Sequence, residues 1–319
     1  MQTTDPIQQL RHADPAGGMT DRPLDGRARA DLRAILAHEP ATRRTSRTGI
    51  SFPTRRLVAI AAVTGVAATL AVGGIQLMDP LGERQVAQAA TPPLLPGELS
   101  PGDPAREALL ALAERAEADT TLPGDGGRHV VRLRSWYLWT QAGAERVTSR
   151  VVEVRSELEW NADRSGRETS TIDGKATVTT WAPGEYEPAF AYPLPVERDA
   201  LLERLEPGHH IAEYGTPGLI SAIGSVYGGS TPSPAVRGAL LRLLAEREDV
   251  ITLGTIEDRL GRRVDAFALD SDHGGLPNRR ILMFDPATGR LLAAEEVLTE
   301  RPGLLNVKIP SVFSYDLYL

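Results

Sequence analysis

The chain has 319 residues, a formal net charge of −7 and no cysteine. Without cysteine there are no disulfides, thiol redox sites, cysteine nucleophiles, zinc-finger clusters or acylated cysteine anchors, so any folded domain is held by its apolar core. The charge is uneven: residues 1–56 hold 10 basic and 6 acidic side chains, the remainder 25 and 36.

Residues 1–56 read as a short segment of helical tendency or disorder. Asp5-Pro6 opens one candidate helix with Ile7 and Leu10 on a side, a Pro/Gly-rich break follows from Asp14 to Pro23, and Arg27 to Ala37 is a second candidate. Neither is long enough to be stable alone, so the segment is either a tail or a docking element for a protein partner.

Leu57 to Met78 is the most distinctive stretch: 22 residues without a charge. As a helix it would be roughly 33 Å long, enough to cross the hydrocarbon of a lipid bilayer. Five arginines and no acid lie between Pro40 and Arg56, and Asp79 and Glu83 follow the run. Basic flanks mark the cytoplasmic side of a span, so the expected topology is N-terminus in and C-terminus out. Topology already accounts for the same arginines, and no nucleic-acid partner is expected. Ala61, Gly65, Thr69 and Gly73 recur every fourth residue, a small-residue stripe that would let two such helices approach closely. An alternative is a cleaved leader ending at the A-x-A of Ala87-Gln88-Ala89, although the run exceeds the usual length of about 7–15 residues for a signal core.

Residues 79–102 form a linker rich in Pro and Ala, expected to be extended and semi-rigid. Asp103-Pro104 has the pattern of a helix start, with Leu109, Leu112 and Ala116 on the apolar stripe that follows. Strands are expected over 129–140, 150–160, 166–172 and 175–181. Asp173-Gly174 between the last two is a two-residue hairpin signal, because both positions favour positive φ. Helices are expected over 197–205, after Thr216-Pro217 and after Ser233-Pro234, then strands over 250–258, 263–270, 279–285 and 291–299. With no β-α-β alternation, residues 103–319 are predicted to form an α+β domain, one curved antiparallel sheet covered on one face by helices.

The search for chemistry yields little. His209-His210 lies in a loop where adjacent side chains diverge, and Asp270 to Gly275 lacks the closing ligand of a calcium loop. Ser221 sits within a helical pattern and not in G-x-S-x-G. The expectation is therefore a non-enzymatic protein with no catalytic residue, cofactor or metal ligand. The candidate binding residues are Trp136, Trp139, Trp160 and Trp181, which cluster in the first strand group. They would line a concave face that holds an apolar ligand, or form the core beneath the helices.

The segments LRHADPA, AREALLALAERA, PSPAVRGALLRLLAEREDV, GTIEDRLGRRVDAFAL and FDPATGRLL, with the arginine-flanked apolar run, resemble an uncharacterised group of actinobacterial membrane-anchored proteins. Members resemble products of genes found beside extracytoplasmic-function sigma factors. The resemblance implies a cell-membrane protein with an extracytoplasmic domain and an anti-sigma-like or sensing role, a sigma factor being the implied cytoplasmic partner. Zinc-type anti-sigma domains carry a His/Cys cluster, which this cysteine-free N-terminus lacks. The order of elements is also similar to the lipoprotein-carrier half-barrel, which implies the alternative of a tethered carrier for a lipid or other apolar ligand.

Overall fold

A computed structural model of the chain describes residues 89–120, 127–142, 147–303, 305 and 307–319. The apolar run at 57–78, its small-residue stripe and the N-terminal segment lie outside the described residues. No described helix is long and apolar enough to cross a membrane.

The elements in chain order are β1 (Asp103–Pro104), α1 (Arg106–Ala118), β2 (Arg128–Ala142), β3 (Val147–Asn161), β4 (Gly166–Ile172) and β5 (Lys175–Trp181). There follow α2 (Arg198–Leu205), α3 (Ile211–Tyr214), α4 (Thr216–Gly229) and α5 (Pro234–Ala245), and then β6 (Ile251–Glu257), β7 (Arg263–Ser271), β8 (Asn278–Phe284), β9 (Leu291–Leu298) and β10 (Ser311–Tyr318). All ten strands join one open antiparallel sheet in the order β1-β6-β7-β8-β9-β10-β2-β3-β4-β5. The fold is α+β. The last strand makes the two strand groups continuous: β10 pairs with β9 on one side and β2 on the other.

Local chemistry explains most boundaries. Asp173 and Gly174 have φ of 48° and 77°, the doubly positive turn that matches the twist of a hairpin. Ser233 caps α5 through its hydroxyl, which accepts the N–H of Val236 at 3.3 Å, and Pro234 occupies the first turn. The turn at 285–289 is closed by the Asp285 carboxylate, which accepts the N–H groups of Ala287 and Thr288 at 2.8 and 2.9 Å.

Asp103-Pro104 does not cap α1. The pair forms β1, opposite Thr252 and Ile251, and the helix starts at Arg106 without a side-chain cap. Thr216 also does not cap α4, since its hydroxyl donates to Asp249 at 2.7 Å.

The helices pack on one face of the sheet, termed inner. One apolar core joins Leu109 and Leu112 of α1, Leu219 and Ile223 of α4, and Leu240 and Leu244 of α5 to Phe267, Leu282 and Phe284 of the sheet. The opposite, outer face of β6–β10 has a second core of Ala266, Ile281, Met283, Val297 and Val312. No helix covers it. Leu94 and Leu95 pack there instead, so the described part of the expected spacer lies along the domain.

Candidate functional site

Side chains alternate faces along a strand, so the pairing registers assign each tryptophan. Trp160 of β3 pairs with His129 and Gly166, and Gly166 pairs with Trp181, which places both tryptophans on the inner face. They are buried in an aromatic cluster: His129 stacks on Trp160 at 4.1 Å, while Tyr186 and Tyr192 each approach it at 5.1 Å. Trp136 points to the outer face, nearly parallel to Tyr315 at 5.9 Å. Trp139 is on the inner face towards the far end of β2 and is 40 % exposed. The four do not form one surface.

A cavity lies elsewhere, between α4 and the inner face of β2, β8, β9 and β10. About 70 Å³ of it is open to the centre of a water-sized sphere, several times what one water requires. Ile220, Leu133, Leu282 and Ala294 form apolar walls, and Arg280, Glu296, Ser314 and Asp316 make a polar floor. Glycine at 224 keeps the roof open: a Cβ built there would meet only the Tyr318 hydroxyl, at 4.0 Å.

The floor is electrostatically unusual. Arg280 is 5 % exposed and its Nε has no hydrogen-bond partner. The nearest oxygen of Glu296 is 3.7 Å away, too far for a good hydrogen bond. Burial raises the Glu296 carboxyl above its ordinary range, against the pull of Arg280. Burial and the nearby Glu296 push Asp316 up to about 6, although Ser135 donates to it at 2.5 Å. One guanidinium and two reluctant carboxyls thus face a space walled by aliphatics. Such a floor can meet a hydrogen-bonding end group, while the walls take an apolar body.

Alternation could have found this site. In the run NRRILMF, Leu282 and Phe284 face the helices, and the same period of two carries Arg280 inward. In LLAAEEVL, Glu296 follows Ala294 inward in the same way.

Ser221 also lines the cavity, and His209 Nδ1 lies 3.2 Å from its hydroxyl. Burial lowers the pKa of His209, favouring the neutral ring. The pair has the composition of a nucleophile and base. Ser221, however, sits in the second turn of α4, where backbone N–H groups are taken up by the helix and are not free to stabilise an oxyanion. The rings of His209 and His210 diverge, one towards Phe190 and the other towards Tyr214. Among the described residues, no group of three His, Cys, Asp or Glu side chains could hold a metal ion. In the loop at 270–275, Asp270 is paired bidentately with Arg279 at 2.6 and 2.7 Å.

Comparison of the chain with protein-family models finds no match, and none is found among curated proteins.

Proposed function

We propose that this chain is a membrane-anchored, non-enzymatic binding protein of the cell envelope with a sensing or regulatory role. In this reading residues 57–78 cross the bilayer once, residues 1–56 face the cytoplasm and dock a protein partner such as a sigma factor, and the α+β domain faces outward. The cavity under α4 takes a small amphiphile, with its apolar body against Ile220 and Leu282 and its polar end at Arg280 and Glu296. The observation that supports this most is a buried guanidinium nitrogen without a hydrogen-bond partner, 3.7 Å from the nearest carboxylate oxygen, at the floor of an apolar-walled space.

The experiment is native mass spectrometry of the full chain released from lipid nanodiscs. The chain should retain a bound amphiphile that the Gly224→Leu variant has lost, since the new side chain enters open space and fills the cavity. Equal adducts on both proteins, or none on either, would reject the cavity as the site. The tethered carrier is the second reading. An open antiparallel sheet with helices on one face is the observation that favours it, and rapid exchange of the adduct between nanodisc populations would select it over a sensor that holds its ligand.

A further inference from the structure

The outer face of the sheet carries a second buried polar site, on the side of the sheet opposite the cavity floor. Residues 93–100 lie across it as a strap. Arg259 donates to the carbonyl of Pro93 at 3.0 Å, and Arg279 donates to the carbonyls of Glu98 and Ser100 at 3.2 and 2.8 Å. Leu94 and Leu95 rest on the outer core. The Glu98 side chain points inward, with none of its surface exposed, and its Oε2 accepts the N–H of Leu95 at 2.7 Å.

Beneath it is Glu295 of β9, also without side-chain exposure and paired to the same guanidinium nitrogen of Arg259 as Glu98. Each carboxyl leaves its Oε1 without a hydrogen-bond partner. The compensating charge is Arg259, 2.7 Å from Glu295 and 3.8 Å from Glu98, with its guanidinium over the ring of Tyr315 at 4.9 Å. Arg279 is the other nearby cation, and its charge is matched by Asp270 at 2.6 Å. Arg134 of β2 and Glu153 of β3 act on Tyr315 with opposite sign. Two ionised carboxylates would therefore share one guanidinium in an apolar setting, with two oxygens unsatisfied. A single proton between those oxygens removes the surplus charge and satisfies both.

We propose that Glu98 and Glu295 share one proton, and that this proton clamps the 93–100 strap to the outer face of the sheet. Loss of the proton leaves two like charges buried side by side and expels Glu98, the only one of the pair on a segment that can leave without breaking the sheet. Burial, followed by the neighbouring Glu98 carboxyl, pushes Glu295 up to about 9, which places the release on the alkaline side of neutrality. Above the transition the ratio of released to docked strap should rise about tenfold per pH unit, as for any step linked to one proton. The strap leads directly into the domain from the residues before it, so its release would lengthen the connection between them.

The test uses the full chain in lipid nanodiscs, with spin labels at Leu99→Cys on the strap and Glu300→Cys beyond β9. The chain has no cysteine of its own, so the labelled pair is unique. A control pair, Thr180→Cys with Glu203→Cys, reports on the rest of the domain. The strap distance should be single and narrow at pH 6 and broaden by pH 10, with the control pair unchanged. In Glu295→Gln, whose amide donates to Glu98 at every pH, the strap should stay docked throughout; if that variant does not fold, Glu98→Gln takes its place. A strap distance unchanged up to pH 10, the same broadening in the glutamine variant, or broadening of both pairs together would each overturn the clamp. The readout is the position of the strap and not ligand binding, so failure of the clamp and failure of the cavity as a binding site are told apart.

Discussion

Trp160 donates its indole N–H to the backbone carbonyl of Gly229 at 2.7 Å, a buried contact that joins β3 to the last turn of α4. The carbonyls of a last helical turn have no partner within the helix, so the indole acts as a side-chain cap supplied from the sheet. Trp160→Phe keeps most of the aromatic packing but leaves that carbonyl buried and unpaired, at an expected loss of about 1–3 kcal/mol. Trp160→Ala should lose more, about 3–5 kcal/mol, because it also empties a space between Tyr186, Tyr192 and His129. Chemical denaturation of both variants tests this, and equal losses would show that the ring packing contributes nothing beyond the hydrogen bond.

Arg237 and Asp119 form the most buried ion pair of known geometry between helical segments, at 2.6 Å with side-chain exposures of 0 % and 4 %. Arg237 lies on α5 and Asp119 directly follows α1, so the pair fixes how these helices meet. Its remaining Nε and Nη1 have no partner, which offsets part of the attraction. Arg237→Met should therefore destabilise by about 3–5 kcal/mol, because the buried Asp119 carboxylate loses this guanidinium. The double variant Arg237→Met, Asp119→Leu should recover part of that loss. A double-mutant cycle by urea denaturation measures the coupling, and strict additivity would mean that the pair does not interact energetically.

Asp316 gives a pH dependence of definite sign. Its folded-state pKa, about 6, lies above the ordinary 3.8. The folded chain thus holds a proton that the unfolded chain releases between those values, and stability falls as pH rises across that window before levelling off. The full effect is on the order of 3 kcal/mol for a shift of about two units. Asp316→Asn keeps an acceptor for Ser135 and removes the titration. Its stability should change less than that of the parent between pH 4 and pH 7, as measured by thermal unfolding at each pH. An unchanged profile would place the proton elsewhere.

The sheet and its helices were legible because local signals agreed with the fold. Val152 to Trp160 alternates in period two, Asp173-Gly174 supplies the hairpin, and Ser233-Pro234 starts α5 where its hydroxyl caps it. β10 was not legible, although it joins the two halves of the sheet. In SVFSYDLY both faces mix polar and apolar residues, because the strand is covered on both sides: Ser314 and Asp316 turn to the cavity, Val312 and Leu317 to the outer core. The placing of the tryptophans is a related case. Proximity in sequence says nothing about face, and Trp136 is one register step away from the inner surface. The cavity and the carboxyl pair depend on contacts between residues almost 200 positions apart, such as Glu98 and Glu295, which periodicity cannot reveal.

Gly289 and Gly174 separate two demands that a turn can make on glycine. Both have positive φ, 62° and 77°, so a side chain at either position is strained by about 1–2 kcal/mol. At Gly174 a Cβ would meet nothing within 4 Å, and only the backbone term applies. At Gly289 it would fall 2.6 Å from the Cβ of Ala116 and 3.0 Å from Leu241, both buried beneath α1 and α5. The turn cannot retreat freely, because the Gly289 N–H donates to Asp285 at 2.9 Å and its carbonyl accepts the Tyr227 hydroxyl at 3.2 Å. Gly174→Ala should therefore lose about 1 kcal/mol. Gly289→Ala should lose that amount and a further 1–3 kcal/mol or so from overpacking. Denaturation midpoints of the two variants decide the matter. Equal losses would mean that the 285–289 turn is not wedged against α1, and that the helical layer is free to shift over the sheet.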